Sequence, residues 1–131
     1  MIDILPTLAD LAGVTYPDSW HGKQLIPVEG RSLLPVLKGE THEDHKSLYW
    51  YGPHNGAGAI RQGPWKLVSE GEGQTWELYD MVADRTETND LAGKLPDRTA
   101  RMCESWFTWA SRMGYSGRMP PSETEQEVLS P

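Results

Sequence analysis

The chain reverses direction within three residues, Gln62-Gly63-Pro64, between an apolar run that ends at Arg61 and a second that opens at Trp65. Glycine permits the positive φ that a tight hairpin needs. Proline fixes φ where the next strand begins, and its missing N–H costs little there. The two glycines of "EGEGQ" predict another reversal between residues 65–69 and 75–80. With the aromatic run Ser47 to Tyr51 upstream, four short strands are predicted at 47–51, 57–61, 65–69 and 75–80. The part from Ala59 to Asp80 reads as a three-strand antiparallel meander.

A sheet this small must bury one face against something else. Leu95, Thr99, Met102, Trp106, Trp109 and Met113 recur at alternating spacings of four and three, which makes a helix with one buried stripe. It begins near Pro96-Asp97 and ends at Gly114. Near the start, Ile4, Leu5, Leu8, Leu11 and Ala12 also follow helical spacing, with Asp3 placed to cap the first amides, Pro6 in the first turn and Gly13 at the C-terminus. This helix begins almost at residue 1, as though a larger fold had been entered part-way.

Between these elements, residues 14–29 read as irregular, and "GRSLLPVLKG" offers one helical turn whose Leu33, Leu34, Val36 and Leu37 should pin the loop to a core. The segment "MVADRTETNDLAGK" reads as polar turns with a one-turn helix around Asn89 to Ala92. The tail from Ser116, rich in Pro and Glu, is expected to be disordered. The fold class is therefore α+β, a small antiparallel sheet of about four strands with the C-terminal helix packed on it and the first helix alongside. At 131 residues one core is expected.

Acidic residues outnumber Lys and Arg by 19 to 12, and the net charge of −7 disfavours nucleic acid and anionic membranes as partners. No run approaches the roughly 18 to 20 apolar residues of a membrane span. The opening segment lacks the basic start of a signal peptide.

Candidate chemistry is sparse. His42 and His45, with Glu43, Asp44 and His54, could suggest a metal site, but a charged loop of this kind is more often simply solvated. Cys103 stands alone beside the Met102 and Trp106 stripe, which favours a structural thiol over a nucleophile. Neither a phosphate loop nor a Gly-x-Ser-x-Gly elbow occurs. The best polar group is His54 and Asn55, between two strands, together with Arg61, whose planar fork suits carboxylate, phosphate or sulfate. An Arg at a hairpin is more often a solvated surface residue. Lys66 alternates with Trp65 and Leu67 and is expected on the solvent face. Core packing accounts for Trp106 and Trp109, and for Trp65 and Trp76 as a cross-sheet pair, so a carbohydrate platform is left open only for Trp20 and Trp50.

The order of the blocks "IDILPTLADLAGV", "GRSLLPVLKG", "AIRQGPWKLV" and "WELYDMVADRTETNDLAG", followed by a Trp-bearing helix, resembles the C-terminal end of an arylsulfatase-type sulfatase. The resemblance implies a sulfuric ester hydrolase with an alkaline-phosphatase-like α/β core. In such enzymes a Cys or Ser in Cys/Ser-x-Pro-x-Arg becomes formylglycine, and a calcium ion binds the sulfate oxygens.

Neither group is implied for this chain. Cys103 is followed by Glu104, Ser105, Trp106 and Phe107, and no matching calcium blocks occur. The resemblance thus implies residues 1–40 as the end of the catalytic domain, 41–115 as the C-terminal subdomain and 116–131 as a tail. The implied partners are the rest of the catalytic domain and a sulfate-ester substrate, approached by His54, Asn55 and Arg61, with no catalytic residue here. Periplasmic, secreted or lysosomal location follows from the resemblance alone. The alternative is a free-standing binding module, gripping a sulfated glycan without catalysis.

Overall fold

A computed structural model describes residues 2–52, 56–71 and 75–115. It divides into two compact units, Met1–Asp44 and His45–Pro131.

In the first unit, α1 (Ile4–Ala12) ends at Gly13, which takes the left-handed conformation expected of a C-terminal glycine, with φ 67°. Asp3 occupies the N-cap position, but its side chain makes no cap hydrogen bond. Its Oδ1 instead accepts from the Arg31 amide at 2.7 Å. Thr7, the buried residue of α1, donates to the Asp3 carbonyl at 2.6 Å and accepts from the Leu33 amide at 2.9 Å. Two polar side chains, one at the N-cap and one within α1, therefore hold the loop at 31–33. Gly30 lies so close to the chain start that a Cβ there would stand 2.0 Å from the Ile2 carbonyl oxygen.

The turn predicted in "GRSLLPVLKG" is α2 (Leu34–Leu37), which lies against α1. Its apolar residues do not reach a core: Leu33, Val36 and Leu37 are exposed and no residue of α2 is buried. The segment read as irregular holds a hairpin, β1 (Ser19–Trp20) against β2 (Lys23–Gln24), with His21 and Gly22 at the tip.

The second unit carries the sheet, β3 (Leu48–Gly52), β4 (Ala57–Gln62), β5 (Trp65–Ser69) and β6 (Glu77–Asp80), each strand antiparallel to the next in sequence. Gln62 pairs with Trp65, so Gly63 and Pro64 alone form the turn, with Gly63 at φ 55°. The second predicted turn includes residues 72–74, which lie outside the described residues, as does the tail from Ser116.

Tyr49, Ile60, Leu67 and Leu78 form one cross-strand row, and the last three have no exposed surface. Over this row lies α3 (Pro96–Arg112), contributing Met102, Cys103, Trp106 and Ala110 to the core. Burying each large aliphatic side chain of the row is worth roughly 1.5–3 kcal/mol. Trp109 stacks on Tyr49 with ring centroids 5.0 Å apart, and the Trp106 indole N–H donates to the Trp50 carbonyl at 2.9 Å.

Trp65 and Trp76 do not pair. The cross-strand partner of Trp65 is Asp80, and Trp76 lies just ahead of β6, where its ring meets Trp106 at 5.2 Å and Phe107 at 6.1 Å. Trp65 receives the Arg98 guanidinium at 4.4 Å instead. No helix forms at 89–92. Asp90 Oδ1 accepts from the Leu78 and Ala92 amides, and Leu91 donates to the Leu78 carbonyl, so this segment lies along β6. Among the described residues no helix is long and apolar enough to cross a membrane.

Candidate functional site

Side chains alternate across a strand, so the residues flanking the buried row point away from α3. There the register aligns Leu48, Arg61, Lys66 and Tyr79 across all four strands. Two cations are direct neighbours in this row, an arrangement that costs stability unless one is neutralised. Glu87 supplies the counter-charge: Lys66 Nζ lies 2.6 and 2.7 Å from its two carboxylate oxygens, and both side chains are about two-thirds or more buried. Lys66 is thus not the solvent-facing residue that alternation suggested, because a turn 21 residues away folds over it.

That turn is built from acceptor carboxylates. Asp80 Oδ1 takes the Val82 and Ala83 amides, and Asp84 takes the Thr88 and Asn89 amides and the Thr86 and Thr88 hydroxyls. These bonds, the one from the Asn89 amide first, hold the Asp84 carboxyl below its ordinary pKa. Glu87 has φ 57°, a conformation that disfavours a residue with a Cβ, and the surrounding bonds hold it there. Tyr79, buried in the same row, donates to Glu77 at 2.7 Å. That hydrogen bond to a carboxylate, with burial second, raises its pKa to about 12.

Arg61 is exposed, and its Nε donates to the Gly63 carbonyl at 3.3 Å, so the side chain folds back over its own turn. His54 and Asn55 lie outside the described residues. The connection that contains them joins Gly52 to Ala57, and Arg61 stands four residues along β4 from Ala57, about 13 Å at the strand rise. Arg61 and the point where that connection returns therefore mark opposite ends of β4.

The remaining candidates are structural or unassembled. Cys103 is buried in the core, and burial pushes its thiol up to about 11, so it stays protonated at neutral pH. His42 is half-buried, with an Nε2 that is shielded and unpartnered among the described residues, so it is not the solvated loop residue expected. Glu43 instead meets Arg31 at 3.4 Å. Among the described residues no three His, Cys, Asp or Glu side chains converge to hold a metal. Of the candidates among the described residues, Arg61 thus presents a guanidinium at the hairpin turn.

Comparison with known proteins matches residues 1–102 to the family described as N-sulphoglucosamine sulphohydrolase, C-terminal. The chain belongs to this family of sulfatase C-terminal regions. It is 31% identical over 120 residues to an uncharacterized sulfatase of Schizosaccharomyces pombe, covering 87% of this chain and 21% of that protein. An N-acetylglucosamine-6-O-sulfatase of Bacteroides thetaiotaomicron is 32% identical over 104 residues, covering 71% of this chain and 17% of that protein. The solved structure of a 2-O GAG sulfatase superposes with a TM-score of 0.63 at 27% identity, covering 91% of this chain and 27% of that one. The chain thus spans about a fifth of the length of these curated relatives.

Sequence reasoning missed the Lys66–Glu87 pair and the hairpin at 19–24. The first carried no local signal. The second did, in His21-Gly22, since the central positions of a two-residue hairpin favour residues that tolerate positive φ.

Proposed function

We propose that this chain is the C-terminal part of an enzyme that hydrolyses sulfate esters. On this reading its first unit completes the catalytic domain and its sheet borders the substrate cleft. The observation that carries the proposal is α1: Ile4, Leu5, Leu8 and Leu11 are each between 49% and 58% exposed, and Thr7 is the buried residue of the helix. An apolar helix face left this open is a surface made to be covered. The relatives are about five times longer than the matched region, which supports a remaining sulfatase portion as the cover.

In that setting His54, Asn55 and Arg61 would contact the organic part of the ester. Bond breaking belongs to the rest of the enzyme. The calcium and formylglycine implied by the resemblance find no fit here: no metal-holding cluster forms among the described residues, and Cys103 lies in the core without the Pro and Arg of the modification motif. No step through either group is derived.

The experiment is a turnover assay with 4-nitrophenyl sulfate, run on the chain alone and on the polypeptide in which it continues a sulfatase catalytic portion. Turnover only in the second supports the assignment. Turnover by the chain alone, or none by either, overturns it.

A further inference from the structure

A hairpin with a two-residue turn closes on a pair that exchanges both of its backbone hydrogen bonds. In this sheet that pair is Gln62 and Trp65, and the register runs from it without a bulge through all four strands. Alternation then fixes where each backbone group points. Ile60 and Gly58 bond toward β5, so Arg61, Ala59 and Ala57 bond toward β3, to Leu48, Trp50 and Gly52. The N–H and C=O groups of Tyr49 and Tyr51 are left facing outward from the free edge of β3. By the same alternation Leu78 faces outward from the opposite edge, that of β6.

The two edges differ. At β6 the chain itself takes up both groups of Leu78, the carbonyl through the Leu91 amide at 2.8 Å and the amide through Asp90 Oδ1 at 2.9 Å. At β3 the backbone of Tyr49 and Tyr51 meets no partner among the described residues. Open edges are ordinarily guarded by a charge, a proline or a bulge, because they template pairing with another strand. Residues 47–52 carry neither charge nor proline, and their register shows no bulge. Trp50, on the outer face, is 50% exposed and Tyr51, on the α3 face, is 39% exposed, so the edge stays open on both sides.

We propose that the β3 edge takes a fifth strand, an extended uncharged segment of the sulfatase portion that the relatives carry outside the matched region, and that backbone hydrogen bonds along it join this sheet to the rest of the enzyme. The proposal rests on the sulfatase reading, which supplies the further chain: the match covers 21% of one relative and 17% of another. A second copy is the poorer occupant. Two β3 edges would share a strip about 17 Å long, far short of the roughly 800 Å² per partner of a stable interface, between chains of net charge −7. A segment of the same polypeptide needs no such area, because linkage holds it at an effective concentration on the order of millimolar.

The test is single-residue amide hydrogen exchange on the chain alone and on the polypeptide in which it continues a sulfatase catalytic portion. The Trp50 amide, which bonds to β4, should be protected in both. The Tyr49 and Tyr51 amides should exchange freely in the chain alone and slow by about a hundredfold or more in the longer polypeptide. Equal, fast exchange in both overturns the proposal. So does protection already present in the chain alone: if it rises with protein concentration the occupant is a second copy, and if not, it is this chain itself. Tyr51→Pro and Tyr51→Ala both lose the ring, but only the proline removes the outward N–H, which an edge strand tolerates. The gap in melting temperature between these variants should therefore widen in the longer polypeptide, and an unchanged gap counts against the added strand. Protection in a polypeptide that turns over no sulfate ester refutes the sulfatase reading alone, and turnover with Tyr49 and Tyr51 unprotected refutes the strand alone.

Discussion

Gly58 lies against the indole of Trp106 so closely that a Cβ on it would stand 2.6 Å from the ring, and 2.8 Å from the ring of Trp76. Both indoles are held from other sides: Trp106 is buried and hydrogen-bonded to Trp50, and Trp76 meets Phe107. Neither can yield to an added methyl. Gly58→Ala is therefore expected to destabilise the second unit by about 1–3 kcal/mol, the ordinary cost of overpacking a closed core. Urea denaturation followed by tryptophan fluorescence measures it, and a loss below about 0.5 kcal/mol would show that the rings can shift.

The Lys66–Glu87 pair is sheltered enough to resist full screening and open enough to avoid a large desolvation penalty. A double-mutant cycle with Lys66→Met and Glu87→Gln should give a coupling of about 1–2 kcal/mol. The Lys66→Met variant also removes one of two neighbouring cations, so its single effect should be smaller than that of Glu87→Gln. The reverse order would mean that repulsion from Arg61 is negligible.

Thr7 joins two segments 26 residues apart through one hydroxyl. Replacing it with Val keeps the shape and leaves the Leu33 amide without its acceptor, at a cost of about 1–3 kcal/mol where that amide stays shielded from water. Hydrogen exchange at Leu33 should accelerate in Thr7→Val and not in Thr7→Ser. Equal exchange in all three proteins would assign the loop's position to Asp3 alone.

Tyr79 sets a pH limit. Its folded-state pKa, about 12, lies above the ordinary phenol value of 10. The protonated phenol is thus favoured by folding, and its contribution is complete below pH 10 and lost as pH rises from 10 through 12. Thermal melts across that window should fall more steeply for wild type than for Tyr79→Phe, and parallel curves would show that Glu77 does not hold the hydroxyl.

At the other end of the scale, the Asp84 carboxyl is held low by its amide donors, so its contribution is present above the ordinary carboxylate value of 3.8 and disappears as pH falls through the folded-state value. Asp84→Ala should abolish that acid sensitivity and accelerate exchange of the Thr88 and Asn89 amides. Unchanged exchange would sink the view that this carboxylate organises the turn.

What could be read from sequence was what local geometry determines. The stripe on α3, the four strands and the Gly63-Pro64 turn follow from spacing and from two residues with restricted or permissive φ. Contacts set by distant parts of the chain were not legible. Asp3 sits where a capping residue belongs, yet its carboxylate goes to Arg31, 28 residues on. Lys66 obeys strand alternation, yet Glu87 covers it. Trp76 looked like a cross-sheet partner for Trp65 because strand ends are ambiguous by a residue or two, and β6 begins just after it. Of the candidate site, Arg61 was identifiable as a cation at a hairpin, but the strand length that separates it from the 53–56 connection emerges only from the register.

The strictly sequential order of the sheet bears on how the molecule comes into being. Each strand finds its partner within a few residues of its own end, so β3 to β6 can zip together hairpin by hairpin at small loop-closure cost. The indole that completes the core arrives much later, since Trp106 follows Gly58 by more than half the length of the unit. During synthesis the sheet must therefore wait with its Ile60, Leu67 and Leu78 row uncovered until α3 has emerged. That interval is the chain's most aggregation-prone moment, and a chaperone that shields apolar strands would act on this unit then.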